Sequence, residues 1–293
     1  MFVKMIGGSD YMNYILSVTE KDFNEIKEYY KSTHTKSPVD HIVFLSKTTA
    51  VTVTGFSSGK VMFQGPIAES EYKMWRSHFK REFEMIGSDE VGTGDFFGPV
   101  VVVAAYVNES QVDYLRDLGV GDSKSITDEK IYKIGKEIKD VLAHKEVFLE
   151  NSYYNKLHLK TKNLNKIKAL MHNRALLELT KFTKCETVVV DEFTPEAKYF
   201  SYLSDQPDVY ENIKFETKAE SKYLAVAAAS VLARYYFLVL WTQMESKIGM
   251  KLPKGAGKEV DRVARKIIDT LGEDALEPIA KLHFKNLQKA KNL

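Results

Sequence analysis

Two adjacent carboxylates, Asp89 and Glu90, stand in a glycine-rich stretch that extends over residues 87–99. An apolar run over 100–107 follows directly, so the pair lies beside a segment that belongs in a protein core. An ionised carboxylate is very costly to bury without a partner, and Mg²⁺ and Mn²⁺, which prefer oxygen ligands, are common partners. Glycines let a ligand approach the backbone, because no Cβ stands in the way. The pattern indicates metal-assisted phosphate chemistry, with a solvated turn carrying two surface acids as the alternative.

The same stretch contains Gly92, Gly94 and Gly98, a spacing that must be compared with a dinucleotide-binding loop. It is one residue longer than the G-x-G-x-x-G fingerprint, and a valine-rich strand pattern follows where that fold requires a helix. The neighbouring acids would also repel a pyrophosphate if no metal were present. We therefore set dinucleotide binding aside.

Two further acids occupy positions from which they could join the pair. Asp191 ends the apolar run 188–190, and the carboxyl ends of strands in α/β sheets face the ligand crevice. It could equally cap the helix that follows. Glu220 precedes a helix rich in small residues, where an ordinary acid of a first helical turn is the alternative. The residues alone leave both assignments open.

A basic run between Lys156 and Arg174 contains no Asp or Glu. Its basic residues are Lys156, Lys160, Lys162, Lys166, Lys168 and Arg174, interleaved with Tyr153, Tyr154, His158 and His172. Such a run fits contacts to nucleic-acid phosphates, with a solvated helix face as the alternative. The C-terminal tail repeats the pattern with Lys281, Lys285, Lys289 and Lys291. In addition, Ser123 and Lys124 offer a hydroxyl and a cation to a phosphate.

Composition sets broad limits on function. The 293 residues are 44% hydrophobic, enough for a sizeable core, and the net charge of +2 does not by itself indicate a nucleic-acid binder. One cysteine, Cys185, excludes an intrachain disulfide framework and a multi-cysteine zinc site. No secretory signal pattern is present, so we expect a cytoplasmic protein. The apolar stretch 223–241 contains Arg234 and many small residues, which favours a buried core helix over a membrane span.

The order of predicted elements indicates two domains. Residues 1–80 show hairpin and helix patterns typical of a small α+β domain, with a boundary near 80–84. Beyond it, strands and helices alternate, which predicts an α/β mixed sheet flanked by helices. The predicted strands cover 83–88, 99–107, 146–151, 186–191 and 212–217. The predicted helices cover 111–118, 127–143, 164–183, 195–203, 219–247, 257–270 and a region near 274–290.

Taken together, these residues resemble a known family, the type 2 ribonucleases H, and within it the ribonuclease HIII subtype. The resemblance extends over nearly the whole chain and is carried by an ordered set of motifs. These motifs are Gly87–Asp95 with Gly98-Pro99, Asp122-Ser123-Lys124, Val190-Asp191, and Lys218–Ser221 leading into Ala227–Arg234. Each motif is moderately specific alone, but the ordered set is highly specific.

The resemblance implies an RNase H fold and metal-dependent cleavage of the RNA strand in RNA–DNA hybrids. The family's carboxylate site, which would hold two Mg²⁺ or Mn²⁺ ions, corresponds here to Asp89, Glu90, Asp191 and Glu220. The residues that would contact ribose 2′-hydroxyls are Gly92, Thr93 and Gly94, and those that would contact phosphates are Ser123 and Lys124. Residues 1–80 would form a TATA-binding-protein-like substrate-binding domain, and 84–293 the RNase H-like catalytic domain.

Three departures separate the chain from the ribonuclease HII subtype and favour ribonuclease HIII. Thr93 stands where ribonuclease HII has Arg, and Glu220 stands where Asp is more usual. The Gly-x-Gly-Tyr segment with which many type 2 enzymes recognise a DNA–RNA junction is here Gly-Ala-Gly-Lys, over 255–258. The last departure puts junction recognition in question.

We therefore expect hydrolysis by two-metal-ion catalysis, with 5′-phosphate and 3′-hydroxyl products. The expected partner is an RNA–DNA hybrid, with no membrane and no obligate protein partner, so we expect a monomer. Two alternatives stay open. Another two-metal nuclease, acting on DNA or structured RNA, would use the same acids. A non-catalytic hybrid-binding protein would keep the basic surface but has little need of four converging acids.

Overall fold

The computed structural model describes residues 13–18, 20–37, 39–78, 84–121 and 127–293. Contacts along the chain separate it into two compact units, Met1–Glu82 and Phe83–Leu293. Ser123 and Lys124, the predicted phosphate contacts, fall outside the described residues.

The first unit contains one five-stranded antiparallel sheet and two helices. Its strands are β1 (Tyr14–Ser17), β2 (His34–Thr35), β3 (Ile42–Lys47), β4 (Thr52–Phe56) and β5 (Lys60–Gln64). Its helices are α1 (Glu20–Tyr29) and α2 (Ala68–His78), with a short 3-10 helix at Lys31–Thr33. The strand order is β1-β5-β4-β3-β2, so the sheet is built from neighbouring hairpins with β1 added at one edge.

Both helices pack against one face of this sheet. Phe44, Val53 and Phe63 form a common core with Ile26 of α1 and Trp75 of α2. Alternate residues of a strand point to opposite faces, and directly paired residues point to the same face. The register pairs Ile15 with Met62, Met62 with Thr54, and Thr54 with Leu45, while Lys47 pairs with Thr52 and Thr52 with Gln64. The other face, here called the open sheet face, therefore carries Ile15, Leu45, Lys47, Thr52, Thr54, Lys60, Met62 and Gln64.

The second unit is a mixed sheet flanked by helices, which confirms the predicted fold class. Its strands are β6 (Met85–Val91), β7 (Val100–Val107), β8 (His144–Leu149), β9 (Thr187–Asp191) and β10 (Lys214–Glu216), in the order β10-β9-β6-β7-β8. Strands β10, β9 and β6 run parallel to one another, β7 runs antiparallel to β6, and β8 runs antiparallel to β7. Its helices are α3 (Glu109–Asp117), α4 (Asp128–Ile138), α5 (Asn151–Thr161), α6 (Leu164–Thr180), α7 (Glu196–Tyr202), α8 (Leu224–Ile248), α9 (Lys258–Leu271) and α10 (Lys285–Lys291).

The sheet is covered on both faces, as the run of valines in β7 requires. Val101, Val103 and Ala105 belong to a core shared with α4 and α8, whereas Val100 and Val102 belong to a core shared with α6. Alternate residues of one strand thus enter two different cores, because successive side chains point to opposite faces.

Helix α8 lies directly on the central strand. A Cβ on Gly87 would stand 2.2 Å from the backbone nitrogen of Val226, so only glycine permits this contact. Five consecutive buried residues, Ala225–Ala229, form the helix side of the contact. Among the described residues α8 is also the one helix long and apolar enough to cross a membrane, yet 61% of its most apolar window is buried within the protein. It therefore has the environment predicted for a core helix.

Most element boundaries differ from prediction by a few residues, and the predicted helix 219–247 is a 3-10 helix at Ala219–Ser221 followed by α8. Two differences are larger. Helix α5 was not predicted, because residues 151–161 offered no clear apolar periodicity. The region near 274–290 is not one helix but a 3-10 helix at Glu273–Leu276, an extended segment and α10. Pro278 lies in that interval and disfavours a continuous helix, and Ala280 instead pairs with Phe97 as an isolated β-bridge.

Candidate active site

Three parallel strands bring the predicted acids to one edge of the sheet. Asp89 and Glu90 lie near the carboxyl end of β6, and Asp191 is the last residue of β9. The register aligns Ser88 with Val190, so Asp89 and Asp191 follow at neighbouring strand ends. Glu220 lies in a short 3-10 helix, Ala219–Ser221, between β10 and α8. The four acids therefore come from three separate segments of the chain.

The acids act on one another electrostatically. Burial, and then the negative charges of Glu90 and Asp191, raise the pKa of Asp89 to about 7. Burial also raises the pKa of Asp191, with Glu220 and Glu90 adding to the effect. Backbone amides oppose the shift at both carboxylates, since Glu90 N donates to Asp89 Oδ1 at 2.8 Å and Ala219 N to Asp191 Oδ1 at 2.7 Å. Mutual repulsion of this kind is what a bound cation would relieve.

Glu90 is held differently from the two aspartates. Its Oε1 forms an ion pair with Lys168, and its Oε2 lies 3.0 Å from His172 Nε2. Burial would raise the pKa of the Glu90 carboxyl, but His172 and Lys168 outweigh it and hold the pKa below its ordinary value. Both bases belong to α6, which covers this face of the sheet.

The donor chemistry of the four acids fits a hard divalent cation, because all their ligand atoms are carboxylate oxygens. As the side chains stand, no three His, Cys, Asp or Glu groups within the described ranges converge as a set of metal ligands. Glu90 in particular is turned onto Lys168 and His172. The acids that would hold Mg²⁺ or Mn²⁺ are Asp89, Glu90, Asp191 and Glu220.

The glycine-rich turn begins where β6 ends. Gly92 has a φ of +88°, and a Cβ there would stand 2.2 Å from the carbonyl oxygen of Pro99. Among the described residues, no atom beyond its two chain neighbours lies within 4 Å of the position that a Cβ would take on Gly94, so its backbone is open to a ligand. Phe96 and Phe97, by contrast, are fully buried. The turn thus combines an anchored base with an exposed tip beside the acids.

Distant segments fix the base of this turn. Asp95 Oδ1 accepts from Gly255 N at 2.5 Å, and Phe96 N donates to Gly255 O at 2.9 Å. On the other side, Gly98 N donates to Ile279 O at 2.9 Å. The backbone that a substrate would meet is therefore held by residues far along the chain.

Comparison with known proteins identifies the family. A family model described as Ribonuclease HII matches residues 86–287, and one described as a domain of unknown function (DUF3378) matches residues 13–82. The Ribonuclease HIII of Bacillus thuringiensis subsp. konkukian is 42% identical over 301 residues, covering 94% of this chain and 97% of that protein. The chain belongs to the ribonuclease HIII family. It is therefore an endoribonuclease, as the sequence motifs predicted.

Solved structures agree with this assignment. The crystal structure of Bst-RNase HIII in complex with Mn²⁺ matches with a TM-score of 0.72 and 37% identity, covering 96% of this chain and 98% of that one. Aquifex aeolicus RNase H3 matches with a TM-score of 0.57 and 27% identity, covering 92% and 99%. Ribonuclease H2 from Pyrococcus horikoshii matches with a TM-score of 0.58 and 21% identity, covering 71% of this chain and 97% of that one. At that identity the match supports the fold alone. The predicted RNase H-like fold is thereby confirmed.

Two bases in this ribonuclease HIII site were not recognised from the sequence. Lys168 and His172 were interpreted as part of a phosphate-contacting run, but both are buried, with exposures of 7% and 0%. A signal was present, because Ala175 and Leu179 continue the same side of α6 and indicate a face turned to the core. Their partner, Glu90, lies far away in the sequence, so neighbouring residues could not predict the contacts of Lys168 and His172 with Glu90.

Other members of the basic run are also paired. Lys166 lies 2.8 Å from Asp205, and Arg174 lies 3.0 Å from Glu178. Lys281 is fully buried, so it is not part of a solvent-facing basic tail. The basic residues of the run and tail that are exposed are Lys156, Lys160, Lys162, Arg174, Lys285, Lys289 and Lys291, of which Arg174 and Lys291 are in ion pairs. The surface available for phosphates is therefore smaller than the sequence indicated.

Proposed function

We propose that the protein hydrolyses the RNA strand of RNA–DNA hybrids by two-metal-ion catalysis, leaving 5′-phosphate and 3′-hydroxyl ends. The observation that carries the proposal is the electrostatic coupling of four carboxylates, from three chain segments, beside an open glycine turn: Asp89 is coupled to Glu90 and Asp191, and Asp191 to Glu220. A purely structural acid cluster would gain nothing from exposed backbone at its edge. A phosphodiester needs both features, because its reacting phosphorus must lie at the acids while the flanking nucleotides are held.

Asp89 is proposed as the central acid, since its carboxylate is coupled to both Glu90 and Asp191. Divalent ions bound by the four acids would activate a water for attack and neutralise the charge on the leaving oxygen. The water oxygen forms the new bond to phosphorus, the bond to the 3′ oxygen breaks, and that oxygen gains a proton. Backbone amides of Glu90 and Ala219 hold Asp89 and Asp191 in place for this role.

The glycine turn is proposed to distinguish RNA from DNA. The 2′-hydroxyl is the group that differs between the two, and it can both donate and accept. The backbone of Gly92, Thr93 and Gly94, which is buried at Gly92 and exposed at Gly94, could contact it without side chains. Support comes from the open space at Gly94 and from the anchored base of the turn, which would present these groups in a fixed geometry. Ser123 and Lys124 are proposed to contact phosphates, as the family resemblance implies.

We further propose that residues 1–80 and the exposed lysines of α5 grip the hybrid backbone, with the protein acting as a monomer. The open sheet face of the first unit carries Lys47 and Lys60 around the apolar pair Ile15 and Met62. Ile15 is 54% exposed, which leaves apolar surface free for a sugar face. Lysines at the rim suit phosphates, whose contacts dominate affinity for nucleic acid.

Cleavage of end-labelled duplexes tests the proposal. The full chain, incubated with Mg²⁺ or with Mn²⁺, should cut the RNA strand of an RNA–DNA hybrid and leave duplex DNA and duplex RNA intact. A chelator should stop the reaction, and mapping the product ends should give 5′-phosphate and 3′-hydroxyl. Equal cleavage of duplex DNA would indicate another type of two-metal nuclease, and hybrid binding without turnover would indicate a binding protein.

A further inference from the structure

One face of α6 holds both carboxylate oxygens of Glu90. Lys168 forms an ion pair with Oε1, and His172 Nε2 lies 3.0 Å from Oε2. The two bases are four residues apart, which places them one turn apart on the same side of the helix. The side chains of Glu90, Lys168 and His172 are only 13%, 9% and 0% exposed. Little solvent reaches these contacts, so they fix the orientation of the carboxylate.

His172 is anchored at both ring nitrogens. Its Nδ1 lies 2.8 Å from Ser88 Oγ, and Ser88 Oγ donates to Val103 O at 3.0 Å. Ser88 thus links the ring of His172 to the backbone of β7. The ring also stacks on Phe193, with 5.3 Å between centroids. His172 is therefore a fixed support for Glu90.

The side chain of Lys168 is held less rigidly than that of His172. Its ammonium pairs with Glu90 and lies over the ring of Phe193, 3.9 Å from the centroid. The ammonium is a compact point charge on a flexible four-carbon stem, so it can move without displacing the helix. Its charge acts on Asp191 as well as on Glu90. Lys168 thus supplies positive charge within the acid cluster, where a divalent cation would also lie.

We propose that Lys168 is a positioning residue that competes with divalent cations for Glu90 and thereby sets the metal concentration the enzyme needs. The inference rests on the proposed metal-dependent function. An oxygen that accepts from an ammonium is a poorer metal ligand, and the ammonium repels an arriving cation. Metal binding therefore requires Lys168 to leave Oε1, while His172 keeps the other oxygen in place.

Calorimetric titration of the full chain with Mn²⁺ alone tests this competition. In Lys168→Met the competing charge is lost, so the dissociation constant for Mn²⁺ should fall at least about tenfold, given the strength of charge interactions at such distances. In Lys168→Arg the constant should rise, because a guanidinium holds a carboxylate with two parallel hydrogen bonds. Lys166→Met is the matched control, since it removes an ion pair with Asp205 from the same helix and should leave the constant unchanged.

A second readout is the rise in melting temperature on addition of Mn²⁺, which should be larger in Lys168→Met than in the unaltered protein. Unchanged Mn²⁺ affinity in both Lys168 variants would overturn the inference and leave an ordinary buried ion pair. If Lys168→Met does not fold, an unchanged constant in Lys168→Arg overturns it alone. Asp89→Asn separates the two proposals: undiminished Mn²⁺ binding in that variant would overturn the metal site itself and the inference with it.

Discussion

The ammonium group of Lys281 donates a hydrogen bond to the carbonyl oxygen of Asp95 at 2.9 Å, although the two residues are 186 positions apart in the sequence. The same group reaches the carbonyl oxygens of Phe97, at 3.5 Å, and of Gly98. An ammonium has three hydrogens, and here all of them are directed at the backbone of the glycine turn. Burial lowers the pKa of Lys281 to about 7, which reflects how completely the group is enclosed. The C-terminal segment therefore supports the turn that is proposed to contact the substrate.

Replacing Lys281 by Met should weaken both stability and substrate binding. The carbonyl groups of the turn would lose a buried donor, at a cost of about 1–3 kcal/mol in the free energy of unfolding. A loosened turn should raise KM for the hybrid more than it lowers kcat. Urea denaturation and steady-state kinetics measure the two effects.

Lys285→Met is the control for Lys281→Met, because Lys285 lies four residues further on and is exposed at the start of α10. It should leave the urea midpoint close to that of the unaltered protein. Equal midpoints for the two variants would show that Lys281 does not support the turn.

Lys281 also shows where prediction from the sequence stops. Local patterns located β9, which ends at Asp191, because a run of valines predicts a buried strand and strand carboxyl ends face the ligand crevice. The strand before Asp89 was predicted only as far as residue 88, whereas β6 extends to Val91. A lysine within a basic tail, however, is expected in solvent unless a buried partner is known. Its partners are backbone carbonyls of a turn whose position depends on the whole fold.

The same limit applies to the acids and to α6. From the residues alone Asp191 could cap the following helix and Glu220 could be an ordinary acid of a first helical turn. Only the family resemblance joined them to Asp89. The pairing of Glu90 with Lys168 needs α6 to lie across β6, which is a matter of tertiary packing. Helix α5 was missed for a related reason, since its buried residues, Asn151, Tyr154 and Asn155, are not a conventional apolar stripe.

The stacked pair of His158 and His283 predicts that the stability of the protein decreases in acid. The ring centroids of His158 and His283 lie 3.9 Å apart. Burial, and then the charges of His158 and Lys281, lower the pKa of His283 to about 4. An unfolded histidine has a pKa of about 6.5, so between pH 6.5 and pH 4 the unfolded chain binds more protons, and stability falls as pH falls.

The variant His283→Asn should therefore lose less stability than the unaltered protein between pH 6.5 and pH 4.5. The free energy of unfolding, measured in urea at several pH values, gives the comparison, with pH 7.5 as the common reference. Parallel pH profiles for the two proteins would exclude His283 as a source of acid sensitivity.

Replacing Asp89 by Asn should abolish cleavage and spare hybrid binding. The change keeps the shape of the side chain but removes the charge on which the proposed metal site depends. We expect a rate loss of at least about 10³-fold, scaled from the loss of a single strong electrostatic stabiliser. Single-turnover rates and hybrid dissociation constants should be measured together. Turnover near that of the unaltered protein would contradict the site assignment.

Deleting residues 1–80 should leave a folded catalytic unit that binds hybrids more weakly. All four acids lie beyond residue 84, so cleavage should persist at high substrate concentration. The plot of log Kd against log salt should become less steep, by roughly one unit for each phosphate contact that is lost. Fluorescence anisotropy at several salt concentrations measures this slope.

A narrower test uses the open sheet face alone. Lys47→Ala combined with Lys60→Ala should reproduce part of the loss in affinity and salt dependence. Lys73→Ala is the matched control, because Lys73 is paired with Glu69 on α2, the helix packed on the opposite face of the sheet. A stronger effect from Lys73→Ala than from the double variant would place nucleic acid on the helical face instead.

The enzyme should cut hybrids with several consecutive ribonucleotides but act poorly at a single ribonucleotide embedded in duplex DNA. The segment 255–258 lies against the glycine turn, since Gly255 exchanges hydrogen bonds with Asp95 and Phe96. Lys258 begins α9 there and is exposed, where junction-recognising type 2 enzymes have a tyrosine. A tyrosine ring can stack on a sugar or base at the junction. A flexible lysine adds positive charge but has no ring to stack, so it cannot recognise the shape of the junction in this way.

Recognition then depends on contacts between the turn and several 2′-hydroxyl groups. A single ribonucleotide offers only one such group, so most of these contacts are lost. Losing even one such hydrogen bond, at about 1–1.5 kcal/mol, slows cleavage by roughly tenfold. The measurement is the initial rate on two labelled duplexes of equal length, one with a single ribonucleotide and one with at least four. The variant Lys258→Tyr, assayed on both, tests the local cause and should narrow the difference. Comparable rates for the unaltered enzyme on the two duplexes would instead give this chain the substrate preference of ribonuclease HII.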